Sequence, residues 1–209
     1  MPDIDYPKAR RLLMRRDPVM RDLMRRYGPC GLADSQHTDP YKALVHSIVS
    51  QQLSSKAAAT IARRFAELFG ATFPTPAQVL EMPTERLRSA GLSGMKVSFI
   101  LDLAQRVHDG TLHLEALDAM TDEDVITELT KVKGIGRWTA EMFLMFRLHR
   151  PDILPLGDLG IVNAMKRAYR LRKTPTPARM MKIGESWRPY RSIACWYLWA
   201  SLDNKPLSD

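Results

Sequence analysis

The chain has 209 residues, enough for one domain or two small ones with a substantial core. Its 31 Lys and Arg against 23 Asp and Glu leave a net charge of +8, which favours a polyanionic partner. Two cysteines, Cys30 and Cys195, are too few for a disulfide framework, a four-cysteine metal site or an iron–sulfur cluster, and read as free thiols.

The first residues, MPDIDYPKARRLL, carry acids and no apolar segment, so they do not read as a secretory signal. Asp17-Pro18 is a cap and first-position pair, and the helix it opens runs to Tyr27 before Gly28-Pro29. Asp34 to Pro40 is polar and turn-like. From Tyr41 to Gln52 the spacing predicts a helix with Leu44, Val45, Ile48 and Val49 on one face. An alanine-rich, close-packing helix follows, with Ile61, Phe65 and Leu68, and ends at Gly70. Between these two helices, Gln51-Gln52-Leu53-Ser54 reads either as a solvent-exposed turn or as a surface loop that offers amides to a partner.

Thr75-Pro76 opens a short helix to Met82, and another spans Thr84 to Ala90. Lys96 to Asp109 is longer, with Ile100, Leu103, Ala104 and Val107 inward and Gly110 closing it. Thr121, with Asp124 three residues on, caps a helix whose core face is Val125, Ile126 and Leu129. Trp138 to Leu148 is strongly apolar, a proline-bearing connector runs from His149 to Leu156, and a further helix reaches Tyr169. Thr176-Pro177 starts a short helix that Gly184 interrupts, and the last helix spans Trp187 to Ala200. No strand pattern and no apolar run long enough to cross a bilayer emerge, so the expectation is an all-α cytoplasmic protein without a membrane partner.

The stretch with most chemical content is Leu129 to Ala140, LTKVKGIGRWTA. Gly134 and Gly136 flank Ile135, while Lys131, Lys133 and Arg137 crowd the same turn. Glycines there admit left-handed angles and leave amides uncovered, and the helix beyond has unpaired N–H groups that favour an anion. A phosphate clamp and an ordinary tight helix–helix turn both fit. No strand precedes it and no Gly-Lys-Ser/Thr follows, so it is neither a dinucleotide fingerprint nor a P-loop. Downstream, LPLGDLG (Leu154 to Gly160) places Asp158 at a helix start, where capping and catalysis are compatible. The histidines at 37, 46, 108, 113 and 149 show no metal-ligand spacing, and no activated-serine elbow is present. Trp138 and the tryptophans between 187 and 199 read as core packing or as faces on which an everted base could stack.

LTKVKGIGRWTA with PLGDLG resembles the signature of the helix-hairpin-helix DNA glycosylase superfamily. SIVSQQLSSKAAATIARRF, GIGRWTA and WRPYRSIACWYLW are most similar to its bacterial DNA-3-methyladenine glycosylase II type. The resemblance implies two helical subdomains flanking a DNA-binding cleft. One is a six-helix barrel over 36–149 that contains the hairpin; the other is formed by 1–35 with 150–209. The additional amino-terminal α/β domain of that type is not expected.

The resemblance also implies roles. Asp158 is the catalytic aspartate. Trp138, Met142 and Trp196 form the base pocket, with Met142 where the type can carry tyrosine. Lys133, Gly134, Ile135, Gly136 and Arg137 bind DNA phosphate, with a K+ or Na+ ion at the backbone of Gly134 and Gly136. Gln51, Gln52 and Leu53 form the duplex wedge. Bifunctional members carry a lysine where Trp138 stands, so a monofunctional enzyme is implied. It would act as a monomer on alkylated purines such as 3-methyladenine and 7-methylguanine in duplex DNA, without a cofactor or an iron–sulfur cluster. The alternatives are a glycosylase for oxidised, deaminated or mismatched bases and a non-enzymatic hairpin DNA-binding module.

Overall fold

The structure is a computed structural model that describes residues 4–34, 39–70 and 72–203. In chain order its α-helices are α1 (Tyr6–Arg16), α2 (Pro18–Tyr27), α3 (Pro40–Ser50), α4 (Ser55–Glu67), α5 (Pro76–Glu81), α6 (Thr84–Ser89), α7 (Gly94–His108), α8 (Asp122–Leu129), α9 (Arg137–Phe146), α10 (Leu159–Ala168), α11 (Pro177–Gly184) and α12 (Arg191–Asp203). No strand occurs among the described residues.

Helix starts are set locally. Asp17, Asp39, Thr75 and Thr176 each accept a bond from a backbone N–H in the first turn, and each is followed by proline, whose missing N–H costs nothing there. At Thr75 the Gln78 side chain bonds back to the cap amide and completes a capping box. Thr121 caps α8 through the Asp124 amide, as its sequence predicts.

The chain divides into two compact units. One, His37–Phe143, holds α3 to α8 and the start of α9. Its core takes the predicted faces of α3, α7 and α8, Leu44, Val45, Ile48 and Val49, then Ile100, Leu103 and Ala104, then Val125, Ile126 and Leu129, while Val107, also expected inward on α7, is only half-buried. α4 differs from expectation. Phe65 is its one fully buried residue, while Ala57, Ala58, Ile61, Ala62 and Ala66 are half-buried and Ala59 is exposed, so the alanine-rich helix is amphipathic and only partly enclosed.

The other unit is Met1–Gln36 with Leu144–Asp209. The division therefore falls inside α9, a continuous helix, whereas 36–149 would place it after that helix. In this unit α12 packs on α2 and α10, and α1 on α2. Asp17, 5% exposed, ties several elements together. Its Oδ1 accepts from the amides of Val19 (2.8 Å) and Met20 (3.2 Å), and its Oδ2 from Tyr169 Oη (2.6 Å) and Trp187 Nε1 (2.9 Å). Cys30 and Cys195 are buried and form no disulfide.

Several boundaries differ from the sequence reading. α1 went unread because its apolar residues are few among arginines; Ala9 and Leu13 are its buried ones. Trp187 lies in a short 3-10 turn and α12 begins only at Arg191, because Pro189 cannot donate within a continuing helix. A 3-10 turn at Leu114–Ala119 has too few residues for a period to show. Residues 35–38 of the expected polar turn lie outside the described residues.

Candidate functional site

In the unit His37–Phe143, α8 and α9 are joined by the glycine turn. Gly134 has φ +79°, and a Cβ there would stand 2.1 Å from Phe99 Cδ2, so both backbone and space demand glycine. Ile135 is 4% exposed and its amide donates to Val132 O at 3.1 Å. It anchors the turn, and its amide is already paired within it. The amides of Gly134, Gly136 and Arg137 donate to no described residue, leaving three N–H groups at the turn and helix start.

The basic side chains are less available than the sequence implies. The Lys133 amide donates to Asp102 Oδ2 at 2.9 Å, and its ammonium stands 3.7 Å from Asp102 Oδ1. Arg137 forks onto Glu123 at 3.0 and 2.5 Å, and its Nε reaches Glu141 at 3.2 Å. The hydrogen bond from Arg137 holds Glu123 below the usual carboxylate range against some desolvation. Desolvation works against charge on Asp102, but the Lys133 amide and Arg106 outweigh it and hold that carboxyl low too. A phosphate would therefore meet open amides first and compete with carboxylates for the cations. These partners were missed because Asp102 and Glu123 are far from the turn in sequence.

The Gln51–Leu53 segment is a turn, not the end of α3. Leu53 N donates to Ser50 O at 3.1 Å, Gln51 has φ −50° and ψ 128°, and Gln52 has φ +57°. This is a type II turn with glutamine where glycine or asparagine is usual. Gln51 Nε2 donates to Gly134 O at 2.7 Å, so the structure brings the turn and the hairpin together. That bond occupies Gln51, while Gln52 and Leu53 are exposed, Leu53 by 39%.

In the unit that includes Leu144–Asp209, Asp158 is the N-cap of α10 and 8% exposed. Its Oδ1 accepts from Ile161 N at 2.7 Å and from Trp199 Nε1 at 3.0 Å. A Cβ on Gly160 would lie 2.9 Å from Asp158 Oδ1 and 3.1 Å from the Trp199 indole, so the absent side chain lets carboxylate and indole meet. Phe146 stacks on Trp199 with centroids 5.9 Å apart and planes at 27°. Leu159, next to the carboxylate, is 75% exposed.

The tryptophan at Asp158 is therefore Trp199. Trp196, the expected pocket residue, rests on Gly31, where a Cβ would come within 2.9 Å of its Cζ2, and meets Tyr197 edge-on at 5.0 Å. The two tryptophans are three residues apart on α12, and only the packing of that helix distinguishes them. Trp138 and Met142 are one turn apart on α9, the first 48% exposed and the second half-buried.

Among the described residues no cluster of His, Cys, Asp and Glu could hold a metal ion, and no helix is long and apolar enough to cross a membrane. Residues 45–189 match the HhH-GPD superfamily of base excision DNA repair proteins. A DNA-3-methyladenine glycosylase of Schizosaccharomyces pombe is 39% identical over 163 residues, covering 77% of this chain and 72% of its own. A Bacillus subtilis relative is 36% identical over 169 residues, covering 78% of this chain but only 59% of its own. The solved structure of an S. pombe 3-methyladenine DNA glycosylase in complex with abasic DNA superposes with a TM-score of 0.77 at 34% identity, over 93% of this chain and 96% of that one. With its helical fold, its glycine hairpin and its helix-capping aspartate, the chain belongs to the HhH-GPD superfamily of base excision DNA repair proteins.

Proposed function

We propose that this protein is a monofunctional DNA glycosylase that hydrolyses the N-glycosidic bond of alkylated purines, such as 3-methyladenine and 7-methylguanine, in duplex DNA, acting as a monomer. The observation that carries the reading is Asp158: a nearly buried carboxylate fixed through one oxygen by a helix amide and an indole N–H, beside stacked aromatic rings.

The lesion must leave the stack to be reached. The exposed Gln52 and Leu53 are suited to fill the gap left in the duplex, and the open amides of Gly134, Gly136 and Arg137 to hold a backbone phosphate. An N3- or N7-alkylated purine is cationic, so an exposed indole such as that of Trp138 attracts it more than a normal base. When the C1′–N bond breaks, the electron pair leaves with the base, which departs neutral and needs no general acid. Asp158 faces the positive charge that then develops on the sugar, and water adds its oxygen to C1′ and gives up a proton. Trp138 has no amine to attack C1′, so the product is an abasic site in an intact strand.

A K+ or Na+ ion at the hairpin would use the carbonyls of Gly134 and Gly136, each of which accepts one hydrogen bond, from Gln51 and from Ala140 N, and keeps a second lone pair.

The test is chromatography of bases released from methylated duplex DNA, paired with a strand-cleavage assay. Release of methylated purines without cleavage is expected, and an Asp158→Asn protein that folds and binds DNA should release none. Release by that variant at the native rate refutes the role of Asp158. No release of methylated bases by native protein that binds DNA moves the substrate class to oxidised, deaminated or mismatched bases.

A further inference from the structure

The turn Ser50–Leu53 holds a glutamine in left-handed backbone at Gln52, a strained conformation that persists only where surroundings enforce it. Nothing in the local sequence enforces it, for neither Gln51 nor Gln52 is a residue that favours such a turn. The enforcement comes from α7.

Lys96 lies in the first turn of α7, where Ser93 caps its amide at 3.3 Å. A cation there is opposed by the positive end of its own helix, and burial further disfavours its charge, lowering its pKa. Its side chain leaves that helix for the end of α3. Nζ donates to Val49 O at 2.7 Å and to Gln51 O at 2.9 Å, and no described carboxylate pairs with it. The ammonium thus satisfies two carbonyls at the negative end of α3, one in the last turn of the helix and one in the type II turn itself. Gln51 then extends its amide to Gly134 O at 2.7 Å. The links run in series: α7 cation, turn backbone, Gln51 side chain, hairpin backbone.

We infer that Lys96 is a positioning residue for strand separation, holding the strained Gln51–Leu53 turn in the form that presents Gln52 and Leu53 to the duplex and fixing its register against the phosphate-binding hairpin. The inference rests on the proposed glycosylase function. It places no side chain of Lys96 on the DNA. Its consequence is specific: relaxing the turn should slow extrusion of a base from a paired duplex more than excision of a base that is already unpaired.

The experiment compares native protein with Lys96→Met on two substrates carrying the same alkylated purine, one fully paired and one with the lesion in an unpaired bubble. Single-turnover base release is measured on both, with 2-aminopurine fluorescence beside the lesion reporting unstacking. Losing the strut should change the paired-to-bubble rate ratio by about tenfold, in keeping with the strain it restrains, and should lower the unstacking signal. Equal losses on both substrates, or no loss on either, overturn the inference, since a general structural role moves both alike. Should Lys96→Met fail to fold, Lys96→Gln, which keeps a donor on a shorter arm, is read by the same ratio with the same two outcomes. If native protein releases no alkylated purine from either substrate, the functional proposal fails, and the role of Lys96 is decided by the unstacking signal alone: reduced in the variant, it stands; unchanged, it falls.

Discussion

Trp199→Phe isolates one bond at the candidate reaction centre. Phenylalanine keeps an aromatic face for the stack with Phe146 at 5.9 Å but removes the N–H that reaches Asp158 Oδ1 at 3.0 Å. Hydrogen bonds to charged groups contribute about 1.5–3 kcal/mol. The lower end applies here, because Ile161 N at 2.7 Å still holds the same oxygen. If the bond serves to aim the carboxylate at the sugar, about 1.5 kcal/mol lost from the transition state slows base release roughly tenfold. Affinity for the duplex should change little. The assay is single-turnover release of methylated purines under enzyme excess, with a binding isotherm on an uncleavable duplex and a thermal midpoint as controls. Trp196→Phe is the matched comparison, since no hydrogen bond from its indole reaches a described residue and its packing partners are Gly31 and Tyr197. Release by Trp199→Phe within about twofold of native, well short of the tenfold worked from the bond, refutes the aiming role. A slowdown shared by both variants assigns the effect to general packing of α12.

Gly160→Ala should act from the other side of the same contact. Its Cβ would arrive 2.9 Å from Asp158 Oδ1, so carboxylate or indole must move. Overpacking of this kind costs about 1–3 kcal/mol; base release should fall while DNA binding persists, and native kinetics would show that the carboxylate can shift without consequence. Asp102→Asn tests the hairpin through pH. The folded-state pKa of Asp102 lies below its unfolded value, so its contribution is full above the unfolded value and is lost as pH falls through the folded one. Denaturant unfolding should show the variant less stable by about 1 kcal/mol at neutral pH after allowing for solvent screening, with the gap closing in acid; a gap independent of pH removes the charge from the argument.

Much of this architecture was legible because it is local. Asp17, Thr75, Thr121, Asp158 and Thr176 all cap the helices their sequence context announces, and the faces of α3, α7 and α8 that turn inward are those their spacing marks. What stayed hidden depends on partners distant in sequence. Trp196 and Trp199 share composition and neighbourhood, and only the packing of α12 gives Asp158 to the second. Lys133 and Arg137 read as free cations until Asp102 and Glu123, brought in from other helices, take part of their charge. The alanines of α4 promised close packing, yet Ala57, Ala58, Ala62 and Ala66 are only half-buried and Ala59 is exposed, because small residues suit helix positions at the edge of a core equally well.

Two of the left-handed positions of the unit His37–Phe143, Gly134 and Gln52, show how differently a sequence can secure the same backbone. At Gly134 it is chosen by exclusion: Phe99 occupies the space of any side chain, and glycine adopts φ +79° at no steric cost. At Gln52 the side chain is kept and the backbone is forced. Glycine there would relieve the strain, yet it would also remove a side chain exposed at the tip of the turn and loosen the segment before any contact with DNA. A turn used to displace a base from a duplex gains from being stiff beforehand, since ordering it on binding would draw on the same free energy that must unstack the base. The left-handed glutamine, the Lys96 ammonium on two carbonyls and the Gln51 amide on the hairpin are together what such stiffness requires.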